Sequence, residues 1–141
     1  MKIAISQEDL LDSLKIVSRA VSGQSTLPVL GNILIRAEGK KVHFAATNLE
    51  ISISTSQEAT VKNEGAITVP AKILTSYASL LEKGEDVELI VSAGTTLEIK
   101  SRTSKTKIKG IASDEFPAVS KVESGVKLTL ESKDFREAVQ Q

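Results

Sequence analysis

Two helices packed on antiparallel sheets of short strands, an α+β fold, is the architecture this sequence predicts. Three observations lead there. Short apolar and β-branched runs bounded by Gly, Asn or Pro dominate the chain, and their order is mixed. Two longer segments carry helical period. Between them Ile51, Ile53 and Thr55 alternate with Ser52, Ser54 and Ser56, which suits a sheet buried on one face only.

Lys2 to Ile5 reads as the first strand, and Ser6 with Asp9 three residues later has the form of a capping box that opens a helix. Leu10, Leu14, Val17 and Val21 make its apolar face, Asp12, Lys15 and Arg19 point elsewhere, and Gly23 is placed to end it. Residues 25–32 form a connector, since Pro28 lacks a donor and Gly31-Asn32 favours a turn. A meander follows in Ile33 to Ala37, Lys41 to Thr47 and Glu50 to Thr55. Ala66 to Val69 is the next strand, running into Pro70 at the start of a second helix, Ala71 to Lys83. Its apolar side holds Ile73, Leu74, Tyr77, Leu80 and Leu81, and Gly84 ends it. Strands are expected near Val87 to Val91, Thr96 to Lys100 and Lys105 to Ile111.

Residues 2–14 can be laid on residues 127–139 at one constant offset, pairing Lys2 with Lys127, Ile3 with Leu128, Asp9 with Asp134 and Leu14 with Val139. Val126 to Leu130 then reads as a strand and Ser132 onward as an amphipathic helix. Either a structural unit recurs, in which case the chain stops inside a second copy, or any strand followed by a capped helix would align this well.

Composition excludes several classes of function. With 40% hydrophobic and 26% charged residues the chain is globular rather than disordered or fibrous. No signal peptide or membrane span is visible, so the expected location is cytoplasmic. Zero cysteines and one histidine exclude a disulfide framework, thiolate zinc sites and most catalytic triads. His43 lies between apolar strand neighbours with no nucleophile motif, so a plain strand histidine outweighs a general base. The glycines form no phosphate loop, and Asp86, Glu98, Asp114 and Glu115 have no metal or hydrolase spacing, so they read as surface charges. No cofactor and no metal are expected.

Equal numbers of acidic and basic residues, 18 each, leave only local charge as an argument for nucleic acid. Lys72, Ser76, Ser79 and Lys83 recur at helical spacing without a carboxylate, a face suited to phosphates or to plain solvent. Lys100, Arg102, Lys105, Lys107 and Lys109 form the one long acid-free basic run. Its three last lysines share a strand face and could guard an edge, meet an acidic protein or touch nucleic acid. Aromatic residues at 3% argue against base stacking.

The segments Thr26-Leu27-Pro28-Val29-Leu30-Gly31-Asn32-Ile33, Ala46-Thr47-Asn48-Leu49-Glu50-Ile51, Thr68-Val69-Pro70-Ala71-Lys72 and Asp114-Glu115-Phe116-Pro117 come in a characteristic order and spacing. In these the chain resembles, from Met1 to Gln141, the bacterial sliding clamp family, the beta subunit of DNA polymerase III. The resemblance implies a DNA-clamp fold, with residues 1–122 an N-terminal clamp domain. Residues 123–141 would be a linker and the first strand and helix of a truncated second domain.

It further implies a non-catalytic processivity factor of the bacterial replicative polymerase, with two chains closing head to tail into a ring around double-stranded DNA irrespective of sequence. In the family, helices line the hole. This points Lys15, Arg19, Lys72, Ser76, Ser79 and Lys83 at DNA, with Lys72 on a family contact position and the uncharged Gln24 where a basic residue is common. The ring interface would use Ile73, Tyr77, Lys105 and Lys107 against an acidic surface of a second clamp subunit. The pocket for the replicative polymerase and clamp loader would belong to later domains. A competing reading is a stand-alone interaction module that docks acidic proteins through Lys105, Lys107 and Lys109; an enzyme resting on His43 is a third.

Overall fold

The computed structural model describes residues 1–24, 26–119 and 124–141, so Ser25 and the expected boundary at 122/123 lie outside the described residues. The chain runs β1 (Lys2–Ser6), α1 (Gln7–Val17), β2 (Asn32–Glu38), β3 (Lys41–Thr47), β4 (Ser52–Glu58), β5 (Thr60–Asn63), β6 (Gly65–Pro70), α2 (Ala71–Leu80), β7 (Asp86–Ile90), β8 (Thr96–Lys100), β9 (Lys105–Lys109) and α3 (Ser132–Gln140). Two antiparallel sheets result, ordered β5-β1-β7-β8-β9 and β4-β3-β2-β6. One core joins them beneath the two helices: Ile3 and Ile5 of β1, Leu10 and Leu14 of α1, Ile33 and Ile35 of β2, Phe44 of β3, Leu74 of α2 and Leu89 of β7 are buried together. The expected α+β class of two helices on antiparallel sheets is therefore the observed one.

Local chemistry explains the element boundaries. The Ser6 hydroxyl accepts from the Asp9 N–H at 3.1 Å and meets the Asp9 carboxylate at 2.7 Å, which caps α1 at the expected residue. α1 ends sooner than expected: Ser18–Ala20 tighten into a 3-10 turn and Val21 is already extended. α2 also stops early, at Leu80, because Leu81 turns to extended backbone to bury its side chain. Gly84 (φ 81°) belongs to the turn beyond, and Lys83 is not helical. β5, absent from the sequence-based expectation, pairs with β1; Thr60–Asn63 is too polar and short to announce a strand. At Val126–Leu130 the expected strand does not form, because no described strand pairs with it.

The conspicuous sequence segments have structural work. Val29, Leu30, Ala45 and Phe116 form a second buried cluster, so the Thr26–Ile33 and Asp114–Pro117 stretches pack on one another. In Thr47-Asn48-Leu49-Glu50, Asn48 Oδ1 accepts from the N–H groups of Glu50 (3.0 Å) and Ile51 (2.8 Å). Thr47 Oγ1 accepts from Leu49 N–H at 3.1 Å, and Leu49 is held at φ 76°. At the corner between the sheets Thr68 and Ile111 exchange backbone hydrogen bonds of 3.0 and 2.8 Å. The Thr68 hydroxyl, fully buried, donates to Ile111 O and accepts from Asn32 Nδ2, both at 3.0 Å.

Candidate nucleic-acid interface

α1 and α2 lie side by side and antiparallel. At one end Gln7 Nε2 donates to Ala78 O at 2.9 Å; toward the other the Ser18 and Thr75 hydroxyls stand 3.4 Å apart. The C-terminal half of α1 therefore meets the N-terminal half of α2, and Ser18, Val21, Gly23, Ala71, Lys72, Thr75 and Ser76 line a groove of about 320 Å³. Lys15, Arg19, Gln24, Lys72 and Ser76 are all exposed at this end of the pair. Cations and hydroxyls without an intervening carboxylate can meet phosphate oxygens from any sequence. Thr75 and Ser18 were not among the expected contacts; a small hydroxyl beside a helix crossing carries no signal until the crossing is known.

The opposite end differs. Lys83, expected on the same helical stripe, sits in the turn after α2 and lines a shallow pocket with Glu82, Glu85, Asp86 and Arg102. There the Gly84 N–H binds Glu8 Oε1 at 2.9 Å, and Arg102 bonds Glu82 at 3.0 Å and Glu85 at 2.9 Å. Those two carboxylates raise the Arg102 pKa, Glu85 foremost. Lys83 thus stands among carboxylates and apart from the basic end. Ser79, though exposed, donates its hydroxyl to Ser76 O at 2.7 Å, which leaves it only as an acceptor.

α2 presents a third face. Ala71, Leu74 and Ala78 point inward, whereas Ile73 and Leu80, which helical period puts on one apolar side with Leu74, are 55% and 81% exposed, with Tyr77 half-buried between them. Ile73 and Tyr77 form a pocket of about 250 Å³ with Thr106, Lys107, Ile108 and Lys109 of β9, the edge strand of its sheet. Tyr77 ties this face down through a hydrogen bond between its hydroxyl and Ser104 Oγ. The expected group Ile73, Tyr77, Lys105 and Lys107 is therefore gathered along one edge.

That edge is less purely basic than the sequence suggests. Glu98 of β8 lies opposite Lys107, and its carboxylate reaches Lys100 at 2.9 Å, Lys105 at 3.1 Å and Lys107 at 3.9 Å. Hydrogen bonds from Lys100 and then Lys105 hold the Glu98 carboxyl down at about 2, and Glu98 in turn raises the Lys100 pKa. Between that value and the ordinary 4.5 the unfolded chain binds more protons than the folded one, so stability rises with pH through this window. Above it the contribution is complete, and as pH falls toward about 2 it is lost. Wild type minus Glu98→Gln, followed by urea unfolding at a series of acidic pH values, should show a difference that grows through this window and then levels. A difference independent of pH would contradict the ion cluster.

His43 is exposed on β3, opposite Arg36 and Ser56, with Val42 and Phe44 buried on the other face, the plain strand histidine expected. Among the described residues no group of three or more His, Cys, Asp or Glu could hold a metal ion, and no helix is long and apolar enough to cross a membrane.

Residues 1–120 match the family profile described as DNA polymerase III beta subunit, N-terminal domain. The chain is 40% identical over 135 residues to the beta sliding clamp of Synechocystis sp. (strain ATCC 27184 / PCC 6803 / Kazusa), covering 90% of this chain and 34% of that protein. The crystal structure of the DNA polymerase sliding clamp from Caulobacter crescentus superposes with a TM-score of 0.83 at 33% identity, over 87% of this chain and 34% of that one. A putative DNA polymerase III beta subunit from Eubacterium rectale ATCC 33656 gives 0.93 at 29% identity, over 100% and 38%. The chain thus spans about a third of the length of these relatives. On the profile match, the sequence identities and the shared fold, the chain belongs to the beta sliding clamp family, within which it corresponds to the N-terminal domain of the DNA polymerase III beta subunit.

Proposed function

We propose that this chain is the first domain of a non-catalytic, cytoplasmic processivity factor, whose ring of two subunits encircles duplex DNA and tethers the replicative polymerase. The observation that carries the reading is the basic, hydroxyl-rich end of the α1–α2 pair, where Arg19, Lys72 and Ser76 are exposed together. Such contacts bind the phosphate backbone weakly, without reading bases, and are screened by salt. A ring held by topology needs no stronger grip; exchangeable contacts let it slide. Residues 123–141 then open a second domain, and the edge formed by Ile73, Tyr77, Lys105 and Lys107 faces an acidic surface of the other subunit. Polymerase and clamp-loader peptides dock on later domains.

The test uses the full-length protein. Once loaded, it should stay on nicked circular DNA and leave when the circle is cut; equal retention on both forms would defeat the ring mechanism. The 141-residue chain alone should bind DNA feebly at physiological salt, since a single domain encloses nothing. The interaction-module reading keeps one point in its favour, the lysine-bearing edge of β9. Reversing the charge of Lys105, Lys107 and Lys109 separates the two, because the clamp reading predicts loss of subunit pairing and the module reading loss of an unrelated acidic partner.

A further inference from the structure

We propose that Glu98 is a built-in counter-ion that limits how tightly the basic edge pairs with the acidic surface of a second copy of the protein. This rests on the ring reading above and concerns the strength of the interface rather than its existence. Three ammonium groups converge on one carboxylate, so the cluster of Lys100, Lys105, Lys107 and Glu98 carries three positive charges and one negative. The Glu98 side chain is 20% exposed, against 39%, 57% and 64% for the three lysines. The carboxylate lies deeper than the cations that cover it.

Two consequences follow from this layering. Each ammonium has three donors, so Lys105 and Lys107 can hold Glu98 from within and still donate outward to a partner carboxylate. That partner carboxylate, however, meets a like charge one lysine away, which subtracts from the attraction. The Glu98 carboxylate has no described hydrogen bond to backbone; its described contacts all go to these lysines. Its carboxylate is therefore not needed to build β8, whose inward residues Leu97 and Ile99 are fully buried. The placement also fits a ring that has to open for loading: the apolar pocket of Ile73 and Tyr77 supplies adhesion, and the half-buried acid keeps the electrostatic part modest.

A merely structural role predicts the opposite sign. If Glu98 only positioned the lysines, removing its charge would loosen them and weaken pairing. The experiment is subunit dissociation of the full-length protein, followed by sedimentation on dilution, for wild type, Glu98→Gln and Glu98→Asp. Glu98→Gln should pair about threefold to tenfold more tightly at low salt, the size expected for one half-exposed charge at close range. The gain should vanish at about 1 M salt, where the Debye length is about 3 Å. Glu98→Asp, which keeps the charge, should stay within about twofold of wild type. Weaker pairing of Glu98→Gln, or no salt-dependent gain while the variant stays folded at the assay temperature, overturns the proposal. A Lys105→Glu and Lys107→Glu double variant separates the two levels. If that variant pairs normally, the ring-edge reading fails; if it pairs poorly while Glu98→Gln shows no gain, only the role of Glu98 fails.

Discussion

Gly110→Ala should lower the stability of the domain by about 3 kcal/mol, a drop of about 10 °C in melting temperature for a chain of this size. The residue stands where the end of β9 crosses to the other sheet. Its N–H donates to Thr95 O at 2.6 Å, and its neighbour Ile111 exchanges two hydrogen bonds with Thr68. A Cβ at Gly110 would overlap the Thr68 carbonyl oxygen and crowd Val69 Cγ1 at 3.1 Å and Ile67 Cδ1 at 3.2 Å. Backbone cannot rotate away as a flexible side chain could, so the corner has to part. Parting also strands buried polar groups: Asn32, Thr68 and Ile111 satisfy one another in a chain of 3.0 Å hydrogen bonds. Each group left unpaired there costs about 1–3 kcal/mol. Gly23→Ala is the control, since its Cβ meets nothing within 4 Å. Thermal unfolding followed by circular dichroism checks both, and a Gly110→Ala variant that melts with wild type would show that the sheets need no contact at this corner.

Much of this fold is legible in the sequence because local and global signals agree. Ser6 and Asp9 mark the start of α1, and Leu10, Leu14 and Val17 lie fully buried where their spacing puts them. Agreement fails at α2 for a physical reason. Period reports which residues are apolar, and α2 has apolar residues on two faces: Leu74 and Ala78 go to the core, Ile73 and Leu80 to the outside. Only the position of the sheets decides between them. Lys105 and Lys107 fail similarly, since nothing in their own run discloses Glu98, seven to nine residues earlier, until the β8–β9 register brings it opposite. Of the candidate phosphate-facing stripe, Lys72 and Ser76 lie on α2, whereas Lys83, which helical spacing includes, falls beyond it because the burial of Leu81 ends the helix at Leu80.

Under the ring reading, Ile73→Asp should weaken subunit pairing of the full-length protein by about 100-fold, the scale of a central interface residue or of an unpaired charge placed in one. The 141-residue chain should melt within about 2 °C of wild type, because exposed positions away from the core tolerate substitution. The two expectations together separate an adhesive residue from a structural one. Single exposed apolar residues are ordinary. Here Ile73, Tyr77 and Leu80 stand on successive turns, and Lys107 and Lys109 of the open edge strand β9 rim the pocket that Ile73 and Tyr77 line. An apolar centre with a charged rim is how a pairing surface is built. An aspartate at position 73 removes the centre and also repels the acidic surface that the lysines attract. Lys72→Glu, one residue away on the face toward the helix groove, should leave pairing unchanged and lower the salt dependence of DNA binding. If Ile73→Asp pairs normally on dilution, the stripe is only wetted surface. If it lowers the melting temperature as far as Gly110→Ala does, α2 is turned differently on its sheet, and both the pairing edge and the DNA-facing end have to be redrawn.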